Sequence, residues 1–113
     1  MGLFAVGDVV LVPFPYADFL RFKVRPTLVI GLAEYRSIIV CQITSSAATS
    51  KRAIRLRKED FIQGNLPITS YIRPDKIFTL EQKIVIRRLG SLKPIVLSKV
   101  LKQVRGLFTL AKV

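Results

Sequence analysis

Arg25 and Thr44 are the two side chains of this sequence whose setting best suits chemistry. Arg25 stands in KVRPTLVI, directly before Pro26. A residue that precedes proline is pushed to extended geometry, and proline, having no N–H, suits the first position of a strand. Arg25 is therefore expected on a stiff backbone where a loop enters a sheet, a good place to aim a charge at a fixed point. Thr44 ends the run SIIVCQIT. If PTLVIGLA and SIIVCQIT pair as a hairpin through the short 34–36 connection, a guanidinium and a hydroxyl converge at one end of the sheet. Such a pair can hold a phosphate, the guanidinium by forked bonds and the hydroxyl as a donor. The plain alternative is a salt bridge from Arg25 to Asp18 or Asp8.

Other chemistries lack the residues they need. There is no histidine, and Cys41 is the only cysteine. A structural zinc site is thereby unsupported, an intrachain disulfide cannot form, and Cys41 has no imidazole to activate it. Its place within SIIVCQI reads as a buried structural thiol. The 7 acidic residues are scattered, so nothing supports a carboxylate-bound metal. No metal and no cofactor is expected.

The charge is far from balanced: 19 Lys and Arg against 7 Asp and Glu, a formal net +12. A polyanionic partner is the direct inference. Arg21, Lys23 and Arg25 line the first loop, Lys51, Arg52, Arg55, Arg57 and Lys58 crowd one hairpin arm, and Arg87 and Arg88 sit near the last strand. Phe14, Tyr16, Phe19 and Phe22 interleave with the first group. Aromatic faces beside cations suit single-stranded bases, although each ring alone can equally pin its loop to the body.

The elements that must position these residues are mostly short strands. The length of 113 residues fits one domain, 1–113. Strands are expected at 8–14, 26–33, 37–44, 53–57, 68–74 and 83–89, with the second, apolar on both faces, in the centre. After Gly90 the period changes. Leu97, Val100, Leu101, Val104, Leu107 and Phe108 follow helical spacing, with Pro94 in the first turn. A mainly β fold results, a small bent antiparallel sheet or barrel closed by a C-terminal helix.

The N-terminus is apolar but lacks a positive n-region, and Asp8 interrupts it. Charge and proline break it too often for a membrane span. Met1-Gly2 does not open a myristoylation signal, because Val6 stands where Ser or Thr is required. A cytoplasmic protein without membrane contact is expected.

The ordered set GDVVLVPFPYAD, KVRPTLVI, IIVCQITS, DFIQGNLPITSYIRPDKIFTL and VIRRLGSL, followed by a helix, resembles the MazF/PemK family of type II toxin–antitoxin ribonucleases. The likeness runs from Gly7 to Phe108 in the family's order. It implies an SH3-like barrel, shared with gyrase-poisoning toxins of the CcdB type. It also implies a homodimer, metal-independent cleavage of single-stranded RNA at short sequences, inhibition by an acidic antitoxin, and weak DNA binding together with that antitoxin. Arg25 and Thr44 map to its catalytic pair. The first loop, with Tyr16, Arg21 and Lys23, maps to RNA contacts, and Ser70 and Arg73 map beside the site or the dimer contact; Phe14, Ser45, Lys51 and Arg52 are expected to bind RNA with them. The first loop carries FLRF where the family's is polar and glycine-rich, which suggests an apolar anchor for the antitoxin. Two other readings stand beside the nuclease: a non-catalytic basic module that holds RNA or protein, and a toxin directed at gyrase.

Overall fold

The structure is a computed structural model that describes residues 3–46 and 50–110. The Met1-Gly2 start and residues 47–49 of the polar loop after Thr44 lie outside the described residues. In chain order the elements are β1 (Asp8–Pro15), β2 (Phe22–Ala33), β3 (Ser37–Thr44), β4 (Ile54–Leu56), β5 (Phe61–Gly64), β6 (Ser70–Glu81), β7 (Arg87–Leu92) and α1 (Pro94–Arg105). Short 3₁₀ turns cover Lys58–Asp60 and Gln82–Ile84. The strands form one antiparallel sheet in the order β4-β6-β3-β2-β1-β7-β5, with β2 in the middle as its apolar faces require.

Strand alternation sorts the side chains into two cores. Val9, Leu28, Cys41, Ile43, Ile72 and Val100 fill one face, against α1. Val10, Val12, Phe14, Val29, Ile38, Val40 and Leu80 fill the other, with Phe4, Phe78 and Val85 packed over them. A single sheet buries both faces only by curling on itself, and the result is a half-barrel with the helix laid along one side. Pro94 opens α1 at a position where its missing N–H costs nothing. Leu97, Val100 and Val104 of the helical stripe pack on the core, joined by Val96 from outside it, and burying a side chain such as Val100 contributes about 1.5–3 kcal/mol. Leu107 and Phe108, also in the stripe, fall beyond the helix, which ends at Arg105 before Gly106.

Several boundaries differ from the sequence reading, and one strand was not expected. β2 begins four residues early, because Tyr16 and Arg21 close a tight turn, Tyr16 N–H donating to the Arg21 carbonyl at 2.9 Å, and the ladder with β1 runs on to Pro15↔Phe22. β6 continues past Pro74 to Glu81 along β3. β7 starts at Arg87 rather than Lys83, whose segment is a 3₁₀ turn. β5 carries no alternating pattern of its own and forms by pairing with β7, Gly64 meeting Gly90. That crossing is too close for side chains, since a Cβ at Gly90 would stand 2.4 Å from the Gln63 carbonyl oxygen.

Candidate active site

Arg25 lies inside β2, opposite Val12 of β1, and not at the mouth of the strand. The ladder between β2 and β3 begins only at Thr27↔Gln42, so Pro26, one residue earlier, removes no rung from it. Continued by two residues, the same register sets Arg25 opposite Thr44. Alternation then turns Arg25, Thr27, Gln42 and Thr44 to one face of the sheet.

Contacts on that face fix the guanidinium. The Gln42 amide, with its oxygen turned toward Arg25, accepts from Nε at 3.2 Å and from Nη1 at 3.1 Å; the opposite orientation would set donor against donor. Arg25 also lies 6.0 Å from the centre of the Tyr16 ring, on which Arg21 stacks at 4.5 Å. Two hydrogens of Arg25 are thus spent on Gln42 and the others remain for a ligand. Neither sequence candidate pairs with it, since Asp18 meets Arg21 at 3.9 Å and Asp8 meets Arg88 at 3.1 Å. The nearly buried Thr44 hydroxyl accepts from Ser46 N–H at 3.3 Å, which leaves its own O–H to donate.

One neighbour across β6 is already neutralised. Arg73 donates twice to Asp75, Nε to Oδ1 and Nη2 to Oδ2, both at 2.9 Å. Those bonds hold the Asp75 carboxyl below its ordinary range against an opposing desolvation, and Arg52 adds to the effect. Burial pushes the Cys41 thiol up to about 12, with the Asp75 charge contributing, so Cys41 is inert. At this end of the sheet a cleft of about 480 Å³ is lined by Lys23, Arg25, Thr44, Ser45 and Ser70 together with Leu11, Pro26, Ile43 and Leu66. Pro26 and Ile43 alternate away from Arg25 and Gln42, so its floor lies on the face of the sheet opposite the Arg25–Gln42 bonds.

The family described as "PemK-like, MazF-like toxin of type II toxin-antitoxin system" matches residues 5–108. The chain belongs to this family. The toxin's fold recurs in solved structures. An endoribonuclease in complex with its cognate antitoxin from a mycobacterial species is 17% identical, with 94% of this chain and 93% of that one covered and a TM-score of 0.68. A MazE-MazF structure from Deinococcus radiodurans is 20% identical, with 93% and 95% covered and a TM-score of 0.71. MazF from the same organism is 22% identical, with 90% and 93% covered and a TM-score of 0.69. Among curated proteins none matches the sequence significantly.

Five of the residues picked from the toxin's sequence meet at the cleft: Lys23, Arg25, Thr44, Ser45 and Ser70. Tyr16 and Arg21 join them through the guanidinium stack. Others stand apart. Phe14 is buried against Phe78 at 6.0 Å and offers no open face to a base. Arg73 is committed to Asp75, and Lys51 and Arg52 occupy an exposed turn outside the cleft. Phe19 and Phe22 are 64% and 60% exposed, so neither is buried loop packing. Two contributors are not among the expected site residues. Gln42 is the one polar residue within IIVCQI, and the 65–68 segment, which walls the cleft, belongs to the motif DFIQGNLPITSYIRPDKIFTL but carries no local sign of a place at the site.

Proposed function

We propose that this toxin is a metal-independent endoribonuclease of single-stranded RNA, with Arg25 and Thr44 as its catalytic residues. One observation carries the reading: a guanidinium held by Gln42, which the β2–β3 register continued by two residues sets opposite a donor hydroxyl. Membership of the toxin family and the endoribonuclease description of structures that share the fold support it.

RNA carries its own nucleophile. The 2′-oxygen attacks phosphorus, the bond to the 5′-oxygen breaks, and a 2′,3′-cyclic phosphate and a 5′-hydroxyl result. The proton of the 2′-hydroxyl leaves to water, and the 5′-oxygen takes one from water while the Arg25 guanidinium donates a hydrogen bond to it. The free hydrogens of Arg25 and the Thr44 O–H meet the charge that develops on the phosphorane. Arginine stays protonated and is no base. A missing general base forgoes a factor of about 10²–10⁴, so the expected nuclease is slow and selective.

The test is purified toxin with mixed RNA in EDTA, the new ends being mapped. Cyclic phosphate ends are expected, and Arg25→Ala should abolish them with the fold retained. RNA that stays whole in EDTA and is cut only after magnesium is added would overturn the mechanism. Near-normal cutting by Arg25→Ala would remove that residue from the site.

The reading extends to a single-domain, cytoplasmic homodimer whose acidic antitoxin covers Arg25 and the first hairpin and excludes RNA. The net charge of +12 supports an acidic partner in both states.

A further inference from the structure

A second groove adjoins the catalytic cleft. Its volume is about 670 Å³, and the cations on its rim are Arg55, Arg57 and Lys58. Leu56, Phe61 and Leu66 line it, and Glu59 is the acid on its wall. The two hollows share the 65–68 segment as a common wall and so lie side by side. Among the described residues no carboxylate forms an ion pair with the side chains of Arg55, Arg57 or Lys58. Three unpaired cations at the edge of a concave surface are poised for an anion of extended shape.

We propose that this groove takes the phosphates of single-stranded RNA lying outside the cleavage sequence, and so holds long substrates without reading them. The proposal rests on the ribonuclease reading. RNA is the favoured occupant because three unpaired cations edge a groove that shares the 65–68 wall with the hollow lined by Lys23, Arg25 and Thr44, so one extended polyanion can run along both. Sequence is not read. Phe61 is buried and presents no stacking face, and guanidinium and ammonium groups bind phosphate whatever the base.

Two oligonucleotides with 2′-O-methyl riboses, which the toxin cannot cut, provide the test. One holds only the cleavage sequence, and the other carries an added flank on the side that reaches the groove. The wild-type toxin should bind the longer one more tightly and with a steeper salt dependence. Joint replacement Arg55→Gln, Arg57→Gln and Lys58→Gln should shrink that slope by about 2, since each single-strand phosphate contact contributes about 0.7. Cleavage of the short RNA by the triple variant should be unchanged, while KM for the long RNA rises. Equal binding of both oligonucleotides by the wild type, or an unchanged slope in the variant, would overturn the groove. So would a variant that loses affinity for an acidic antitoxin peptide but not for long RNA. If natural RNA is not cut at all, the ribonuclease reading fails, while the binding series still decides the groove.

Discussion

Gln42 is the residue on which the aim of Arg25 depends. A free arginine side chain samples many rotamers, and immobilising one costs about 0.5–1.5 kcal/mol. The two bonds from Gln42 place that cost in folding instead of in the transition state. Gln42→Met keeps the volume and removes the acceptor. A drop in kcat on the order of tenfold is expected, well inside the hundredfold that small misplacements can reach, with KM and the melting temperature nearly unchanged. Combined with Arg25→Lys, which has no Nε–H fork to hold, Gln42→Met should cost nothing further, as residues acting through one group are non-additive. An additive loss in the double variant would show that Gln42 acts elsewhere. Asp75 makes a different contribution. Its folded pKa is depressed by Arg73, so the pair stabilises the fold at pH values above the ordinary carboxylate value of 3.8 and stops doing so as pH falls through the depressed value. Asp75→Asn should therefore lower the melting temperature at neutral pH, and the gap to wild type should close in strong acid. A gap that persists undiminished would mean the carboxylate is not the source.

At the scale of the elements, the β2–β3 hairpin carries unrelieved backbone strain. Tyr35 and Arg36 hold φ of 58° and 56°, the left-handed values of a two-residue turn, with Ser37 N–H donating to the Glu34 carbonyl at 3.2 Å. Asn-Gly fits such turns far better than Tyr-Arg. Tyr35→Asn with Arg36→Gly should stabilise the protein by about 1 kcal/mol, read as a rise of about 4–8 °C in melting temperature. The turn lies at the far end of β2 and β3 from Arg25 and Thr44, so cleavage should not change. A fall in melting temperature would mean that exposed Tyr35 makes a contact worth more than the strain. The hairpin at the other end of β2 also contains a left-handed residue, Phe19 at φ 60°, whose ring stands 6.3 Å from that of Phe78. Phe19, Phe14, Tyr16 and Phe78 border a shallow hollow of about 190 Å³.

For the whole molecule, partners decide what the exposed surface is for. Phe19 and Phe22 lie open on the hairpin that also carries Arg21 and Lys23. An acidic antitoxin tail with apolar side chains fits both features, and a disordered tail can wrap so wide a surface at the cost of being ordered. Phe19→Ala with Phe22→Ala should weaken antitoxin binding even at high salt, where charge is screened. Neutralising Arg21 and Lys23 should matter mainly at low salt. Sedimentation of the same mixtures should show a dimer before antitoxin is added. A double Phe variant that binds as tightly as its parent would remove the aromatics from the interface, and a monomer at every concentration would remove the dimer.

The sequence by itself determined the chemical vocabulary of the toxin and most of its elements. A chain with no histidine and one cysteine has few catalytic routes, and +12 on 113 residues makes a polyanionic partner the direct inference. These are properties of composition and need no coordinates. β1, β3 and the helical stripe were legible because alternation and the 3.6-residue period are local signals. Arg25 and Thr44 could be brought together on paper because a two-strand register is set by one short turn. The tertiary structure decided what depends on distant pairing. β5 exists because two glycines let its backbone approach β7, and β6 continues past Pro74 because β3 is there to receive it. Gln42 became a partner of Arg25 only through the register of β2 against β3. Phe78 of β6 covers Phe14 of β1 across the fold, whereas Arg73 is held locally by Asp75, two residues on in the same strand. A side chain's freedom to bind is set by what packs against it, and in a curled sheet many of those neighbours, such as Phe78 over Phe14, come from strands far away in the chain.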